Sequence, residues 1–334
     1  MSFWARCIEA MGSRMPEFGV AIDGRAAMAD IPAQARAAED GGASTLWIAC
    51  HLFLRDPVTT AAIALSATAR IKVALMAMSP YSVHPVFTAM SAATLEEAFP
   101  GRVLLCLGVG APADLQAAGI ACPRPLATMK EAIGLCRALF KGELVDEEGE
   151  IFGRLRRRLI NGGRPLPIVL AASRPNMLAL AGRAADGVLI SAATSLPFLK
   201  ASLERAQKDA ASRVRSYGIV YTRISSSERE AIDGLRRVIG FVLRGAHHQE
   251  NIRLSGAALD QAALAAAYRE ENWALVDRLI SDDVVRLHAA CGTPDQVGVR
   301  LAEYGAIGLD EVILGGIDDA KAIAVTLAAA QAAA

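Results

Sequence analysis

The sequence predicts an α/β fold, and within that class a (β/α)8 TIM barrel with insertions, from two observations. The first is a series of eight short apolar segments, each with the length and the branched side chains of a buried strand. The second is that helical patterns lie between these segments, several of them ending in glycine. A doubly wound sheet rarely needs eight such units in succession, whereas the barrel requires them.

The predicted strands recur along the whole chain. They cover residues 18–22, 45–50, 71–77, 102–108, 167–172, 187–191, 217–224 and 310–316. The helical patterns between them include MADIPAQARAAEDGG, ATMKEAIGLCRALFKG and PNMLALAGRAADG. Because parallel barrel strands are buried on both faces, unbroken apolar runs of this kind are what the fold requires.

Two stretches interrupt the alternation of strand and helix. Residues 141–164 are polar, contain DEEGE and RLRRR, and predict an excursion before the fifth strand. Residues 228–294 are much longer than one crossover helix and predict additional helices. Since the sequence has no Pro/Ser-rich linker and no internal repeat, residues 1–334 are predicted to form a single barrel domain with two insertions.

Composition argues against several classes of function. The 35 basic and 35 acidic residues cancel, so nucleic acid is not an expected partner. The six cysteines lack a CxxC pair, which favours reduced thiols in a cytoplasmic protein. The N-terminal MSFWARCIEAMGSRMPE lacks the apolar core of a secretory leader, and the alanine-rich C-terminal stretch is too short to span a bilayer. We therefore expect a soluble protein without a membrane segment.

The stretch GRVLLCLGVGAPAD ends an apolar run with Gly108 and Gly110. GVGAPA matches the loose dinucleotide-binding pattern G-x-G-x-x-A, but Pro112 stands where the phosphate-binding helix would begin. The acid expected about 20 residues later is Glu131, which falls inside a helical pattern. In a barrel, the glycines end the fourth strand where backbone can approach a flat ligand closely. For Gly110 alone, a plain strand-to-loop turn is an equally good interpretation.

Five segments of the chain occur in the order seen in the luciferase-like oxidoreductases, which the chain resembles. They are WIACH, SPYSVHP, TLEEAFPGRVLLCLGVGAPADLQAAGI, RPLATMKEAIGLCRALFKGE and ASRPNMLALAGRAADGVLISAAT. The resemblance covers roughly two thirds of the chain, from about residue 18 to residue 194 and again at CGTPDQVGVRLAEYGAIGLDEVIL. Within this superfamily the chain is most similar to the methylenetetrahydromethanopterin reductase subfamily, whose members use a deazaflavin coenzyme.

The resemblance implies a barrel with a flavin or deazaflavin in the mouth formed by the C-terminal strand ends. It also implies a non-proline cis peptide at the end of the third strand, here Met76–Ala77, which supports the back face of the ring, with Ser79 lining the ring pocket. Coenzyme F420 is the expected cofactor and FMN the alternative. The expected partner is a small organic substrate, with a pterin-like molecule as one candidate. The chain is expected to form a homodimer or a higher homo-oligomer.

His51 ends the second strand in the place of the family's active-site histidine. A lone histidine after an apolar strand is more often structural, but catalytic residues are built at the barrel mouth. The resemblance therefore makes His51 a candidate catalytic residue that contacts the ring or a substrate oxygen.

The related reductases carry three acids that this chain lacks. Ala21 stands at the end of strand one, Cys50 before the histidine, and Ala111 after the strand-four glycines. Asp23 lies two residues beyond Ala21, so it reaches the same side of the strand and is a second catalytic candidate. Asp114 is the nearest acid after Gly110.

The phosphate of the cofactor is expected over the loops that follow the fifth and sixth strands. Backbone N–H groups and hydroxyls at two helix N-termini form an anion site without a lysine. The same hydroxyls are also ordinary N-caps, and both roles can hold at once. The candidate residues are Ala172, Ser173, Ser191, Ala192, Thr194 and Ser195.

Two further features are assigned weaker roles. Arg154, Arg156, Arg157 and Arg158 are interpreted as a solvated hairpin face, with contact to an oligoglutamate tail of the coenzyme as the alternative. His247-His248 lacks the spacing of a metal motif, so no metal is assigned.

Three functions stay open at this point. The leading one is an oxidoreductase that transfers a hydride between coenzyme F420 and a small organic substrate. The second is an FMN-dependent reductase or two-component monooxygenase of the same superfamily. The third is a non-catalytic flavin-binding barrel that has lost the active-site acids.

Overall fold

Eight parallel strands close into a barrel in the computed structural model, which describes residues 16–190, 192–317 and 319–332. Around the barrel the strand order is 1-2-3-4-7-8-9-11, and the last strand pairs with the first. This closure confirms the predicted (β/α)8 fold. The strands are β1 Glu17–Ile22, β2 Thr45–Ala49, β3 Lys72–Met78, β4 Val103–Leu107, β5 Val145–Gly149, β6 Gly153–Arg157, β7 Ile168–Ala172, β8 Gly187–Ile190, β9 Arg215–Ile224, β10 Ala289–Gly292 and β11 Glu311–Gly315.

Helices alternate with the barrel strands and pack outside them. Several begin at a proline in the first turn, where the missing N–H costs no hydrogen bond. The α-helices are α1 Ile31–Asp40, α2 Pro57–Ser66, α3 Pro85–Ala98, α4 Pro112–Ala117, α5 Pro125–Lys141, α6 Pro175–Ala184, α7 Leu196–Gln207, α8 Glu228–Leu243, α9 Gln249–Ser255, α10 Gln261–Arg269, α11 Trp273–Leu279, α12 Asp282–His288, α13 Pro294–Ala306 and α14 Ala320–Ala332.

The two irregular stretches of sequence contain the elements that do not belong to the barrel alternation. β5 and β6 form an antiparallel hairpin within residues 141–164. Helices α8 to α12 and the short strand β10 lie within residues 228–294, and β10 pairs with the C-terminal part of β9. We call residues 228–294 the insertion from here on.

The barrel strands bury apolar side chains on both faces. On β2, Leu46 and Ile48 pack against the helices, whereas Trp47 and Ala49 belong to a separate cluster inside the barrel. That interior cluster also contains Ala74, Met76, Leu104, Cys106, Val169, Leu189, Tyr217 and Ile313. Because this filled interior is a core rather than a pore, a ligand has room only at an end of the barrel.

Neither a bilayer-spanning helix nor a disulfide occurs among the described residues. None of the helices there is both long and apolar enough to cross a membrane. Cys50, Cys106, Cys122, Cys136 and Cys291 are free thiols, and Cys7 lies outside the described residues.

A buried carboxylate lies at the N-terminal end of the barrel, opposite the mouth. Glu311 is fully buried; its Oε1 accepts a hydrogen bond from Trp47 Nε1 at 2.8 Å and its Oε2 one from Thr45 Oγ1 at 3.3 Å. An Arg215 guanidinium nitrogen lies 3.7 Å from Oε2. Burial raises the pKa of Glu311 to about 7, and the Trp47 hydrogen bond and the Arg215 charge offset only part of that effect.

Raising the pH is expected to weaken the fold through Glu311. Its carboxyl binds a proton more tightly in the folded chain than in the unfolded one, where its pKa has the ordinary value of 4.5. Stability is therefore lost as the pH rises through about 7. Between pH 5 and pH 8 this group should lower the free energy of unfolding by on the order of 2–3 kcal/mol. Urea unfolding measures the change, and the prediction fails if Glu311→Gln keeps the full pH dependence.

Candidate active site

The third strand ends in a bulge at the barrel mouth. The peptide bond between Met76 and Ala77 is cis, as the sequence resemblance predicts. The pairing of β3 with β4 shifts register between Leu75 and Met78, so the chain gains a residue at this point. The bulge turns the backbone of Met76–Ala77 into the mouth end of the interior cluster.

Small residues form the floor of the mouth. Ala21, Ala77 and Ala171 come from three strands, pack against the interior cluster and stay partly exposed. A Cβ atom added to Gly108 would lie 2.9 Å from the Cβ of Ala77 and 3.3 Å from that of Ala171. Gly108 is buried, and its lack of a side chain lets Ala77 and Ala171 pack closely against its backbone beside the cis peptide.

Ser79 fixes the loop that follows β4. Its Oγ donates a hydrogen bond to the Val109 carbonyl at 2.7 Å and accepts one from the Tyr81 N–H at 3.3 Å. Gly110 has a φ of +98°, and a Cβ there would lie 3.3 Å from Ser79 Oγ and 3.0 Å from Leu115 Cδ1. Gly110 is therefore required by both its backbone and the close approach of the loop. Contact of Ser79 or Gly110 with a cofactor stays a prediction.

The His51 side chain lies near Asp114, an acid in the segment that follows β4. Its Nδ1 lies 3.6 Å from Asp114 Oδ2, with the two side chains 45% and 33% exposed. Asp114 lies in the first turn of α4, one residue before the Leu115 that packs against Gly110. The C-terminal ends of strands two and four thus border the same part of the mouth. A catalytic role for His51 stays a prediction.

Arg244, a residue of the insertion, places its positive charge near Asp114. Its guanidinium stacks 3.7 Å from the ring centre of Phe241 and 5.3 Å from that of Tyr268. Burial lowers the pKa of Arg244, and the nearby charges of Tyr268 and Asp114 offset part of that shift. The sequence carries no local signal for this approach, because 130 residues separate Arg244 from Asp114.

Asp23 also lies at the mouth but is held by an arginine. Its Oδ2 pairs with Arg25 Nη1 at 2.5 Å, and its Oδ1 accepts the Arg25 N–H at 2.9 Å. Tyr221, which the sequence did not predict as a site residue, lies on β9 close enough to feel the charge of Asp23. Burial raises the pKa of Tyr221, and the charge of Asp23 raises it further. The alternation of Tyr217, Ile219 and Tyr221 along one face of β9 was the signal available to find it.

The loop after β7 differs in detail from the predicted anion site. Ala172 points its side chain into the outer core, so only its backbone borders the mouth. The N-cap of α6 is Arg174, and no side chain caps that helix. Ser173 is half-buried ahead of the helix. Its hydroxyl is thus not the cap of α6, and its contact with an anion stays a prediction.

The loop after β8 is tied to the rest of the protein by polar contacts. Thr194 is buried and its carbonyl accepts a hydrogen bond from the Tyr304 hydroxyl at 2.9 Å. Ser195 is the N-cap of α7, yet its hydroxyl donates to Asn251 Oδ1 rather than capping the helix. Ala192 is half-buried, and Ser191 lies outside the described residues.

A family model describing the luciferase-like monooxygenases matches residues 11–311. The chain belongs to this family. The 5,10-methylenetetrahydromethanopterin reductase of Archaeoglobus fulgidus is 31% identical to it over 303 residues, covering 86% of this chain and 90% of that protein. The relatives are named as reductases and monooxygenases, so this luciferase-like protein is an enzyme of the oxidoreductase class.

Two solved structures show the same fold. The coenzyme F420-dependent tetrahydromethanopterin reductase of Methanopyrus kandleri has a TM-score of 0.85 at 21% identity, covering 94% of this chain and 98% of that chain. The oxygenating constituent of 3,6-diketocamphane monooxygenase from Pseudomonas putida, solved with FMN, has a TM-score of 0.67 at 18% identity, covering 95% and 97%.

Cys50, Asp23 and Asp114 lie at or next to the positions where the resemblance leads us to expect acids. Burial, reinforced by Asp56, raises the pKa of the Cys50 thiol to about 11, so Cys50 does not supply a negative charge. Asp23 is paired with Arg25, whereas Asp114 approaches His51. Asp114 is therefore the acid that the structure brings close to the candidate histidine.

The remaining candidates lie away from the floor of the mouth. On the hairpin, Arg154 and Arg156 both pair with Asp146, at 3.2 and 3.4 Å. His247 and His248 have ring centres 4.2 Å apart, and burial lowers the pKa of His248 to about 3. Within the described ranges, no group of three or more His, Cys, Asp or Glu side chains is arranged to hold a metal ion.

Proposed function

We propose that this enzyme transfers a hydride between coenzyme F420 and a small organic substrate. The observation that carries the proposal is the floor of small residues at the mouth, where Ala77, Gly108 and Ala171 pack together beside the cis peptide. The curated relative at 31% identity is named a methylenetetrahydromethanopterin reductase, and the structure with a TM-score of 0.85 is an F420-dependent enzyme. A pterin-like substrate is the first candidate to test.

In this proposal each group of residues at the mouth has a separate role. The deazaflavin ring supplies the hydride chemistry when bound. Ala77, Gly108 and Ala171 receive its back face and exclude water from it. The loops after β7 and β8, with Ser173 and Thr194, bind the phosphate through hydroxyls and the N-termini of α6 and α7. His51 orients a polar group of the ring or substrate and holds or moves a proton at its ring nitrogen.

FMN is the alternative cofactor, because a structure of this fold contains it. The experiment that decides is purification from a host that makes both cofactors, followed by absorption and fluorescence of the bound chromophore. We expect a deazaflavin spectrum, and added F420 should bind at least about tenfold more tightly than FMN. An FMN spectrum with no retention of F420 would replace the proposal by an FMN-dependent reductase or monooxygenase.

A non-catalytic flavin-binding barrel is the second alternative. It is favoured by the alanines at positions 21 and 111, which neither relay protons nor contact a substrate as acids do. The approach of Asp114 to His51 favours an enzyme instead. Turnover with any hydride acceptor or donor separates the two, and a protein that binds cofactor without turnover would support the non-catalytic reading. A homodimer and a cytoplasmic location stay proposals.

Replacing Thr194 by glutamate is expected to abolish cofactor retention without unfolding the protein. The new carboxylate would lie in the loop that receives the phosphate, where like charges cost several kcal/mol. The affinity should fall at least about 100-fold. Thr194→Gln, which has the same size without the charge, is the matched control, and thermal unfolding checks both variants. Undiminished binding in a folded Thr194→Glu protein would rule out the anion site.

A further inference from the structure

The insertion holds one loop of the proposed cofactor site in place. We propose that Asn251 and Tyr304 are positioning residues that fix the loop after β8 in the conformation that binds the cofactor's phosphate. Through Asn251 the insertion, together with Tyr304 of α13, thereby sets the affinity for phosphorylated ligands. This inference rests on the proposed function, because it takes the loop after β8 as the place of the phosphate.

Asn251 is fully buried in α9 and makes three hydrogen bonds with this loop. Its Oδ1 accepts from the Ser195 N–H at 2.9 Å and from Ser195 Oγ at 2.9 Å, and its Nδ2 donates to the Ala193 carbonyl at 2.7 Å. These contacts use most of the hydrogen-bonding capacity of one amide. Since an unpaired buried amide is unfavourable, the loop and α9 are held together.

The loop has a backbone conformation that needs such support. Ala193 has a φ of +52°, in the left-handed region that residues with a Cβ rarely adopt. Its carbonyl is bound by Asn251, and the carbonyl of Thr194 is bound by the Tyr304 hydroxyl. In a trans peptide the N–H points opposite to the carbonyl, so the Thr194 N–H points away from Asn251.

The same part of the insertion also reaches the other half of the proposed anion site. His247 precedes α9 and lies close to Arg174, which follows β7. Burial lowers the pKa of His247, and the positive charge of Arg174 lowers it further. Residues 247–251 thus border both phosphate loops, which is the placement expected of a segment that positions them.

A pair of ligands isolates the phosphate. FMN and riboflavin differ only in this group. F420 and its deazaflavin riboside differ in the phosphate and in the tail attached to it, so this second pair reports on both together. Titration of the wild type and of Asn251→Ala is followed by fluorescence. For each protein it gives a ratio, the dissociation constant of the phosphate-free ligand divided by that of the phosphorylated ligand. We expect Asn251→Ala to lower this ratio at least about tenfold while changing binding of the phosphate-free ligand less than about threefold. Tyr304→Phe removes one hydroxyl and should lower the ratio by a smaller factor.

Gln261→Ala is the matched control within the insertion. The Gln261 amide donates to the carbonyls of Leu243 and Gly245, both at 2.7 Å, and so stabilises the insertion internally. It should leave the ratio unchanged. A wild-type ratio kept by Asn251→Ala, or by Tyr304→Phe if Asn251→Ala does not fold, overturns the positioning role and leaves the proposed function standing. A wild type that binds none of the four ligands overturns the proposed function itself.

Discussion

Gly108→Val is expected to abolish cofactor binding while the barrel still folds. The valine Cβ would lie 2.9 Å from the Cβ of Ala77 and 3.3 Å from that of Ala171, so the valine would displace the small residues on which the proposed ring rests. We expect at least about a 100-fold loss of affinity. Overpacking at the floor should lower the stability by about 1–3 kcal/mol, which leaves a folded protein. Fluorescence titration with F420 and with FMN measures the loss.

Gly134→Val is the matched control for this substitution. Gly134 lies on the exposed side of α5, and a Cβ there meets no atom within 4 Å. It adds the same side chain far from the mouth and should leave affinity unchanged. If Gly108→Val binds cofactor as the wild type does, the ring does not lie on this floor. Gly110 is a poorer test because its φ of +98° makes any side chain strained.

The barrel could be predicted because its strands carry a strong local signal. Burial on both faces makes β2 and β4 unbroken apolar runs, and the helices between strands end in recognisable ways. The cis peptide at Met76–Ala77 was predicted by resemblance alone, since no property of either residue requires it. The short strand β10 has four residues and offers no comparable pattern.

The contacts that organise the site could not be predicted from local sequence. Asn251 binds Ser195 across 56 positions, and Trp47 binds Glu311 across 264. Such contacts depend on where the closed barrel brings distant loops, and no periodicity records them. The direction of Ala172 was predictable in principle, because it alternates with the inward-facing Ala171 on β7.

The two acids proposed near the mouth illustrate the same limit. Asp23 was the catalytic candidate and Asp114 only the nearest acid after Gly110, yet Asp23 lies against Arg25 whereas Asp114 faces His51. Arg25 is only two residues from Asp23, so that pairing had a local signal. The approach of Asp114 to His51 depends on strands two and four ending at one mouth, which the barrel provides. The proximity of Asp114 to His51 is therefore a property of the fold rather than of one motif.

His51→Ala is expected to lower turnover about 100-fold and to change cofactor affinity less than about threefold. The His51 imidazole borders the mouth beside Asp114 and does not form the floor under the proposed ring. Removing it therefore removes a polar contact and a proton carrier but leaves the floor residues in place. Loss of a positioned acid or base typically costs 10²- to 10⁴-fold. The kcat with an acceptor that the wild type reduces and the dissociation constant of F420 are measured on the same preparations.

Asp114→Asn and His84→Ala complete the test of His51. The amide in Asp114→Asn keeps the shape but removes the charge that faces Nδ1, so kcat should fall by less than in His51→Ala while cofactor binding stays unchanged. His84 caps α3 by accepting the Val86 N–H at 3.2 Å and contacts Phe152 edge-to-face, so His84→Ala should lower stability and spare turnover. Full activity in His51→Ala would assign His51 to structure. Weakened F420 binding with unchanged kcat would make it a binding residue instead, because only an interaction made in the transition state lowers kcat.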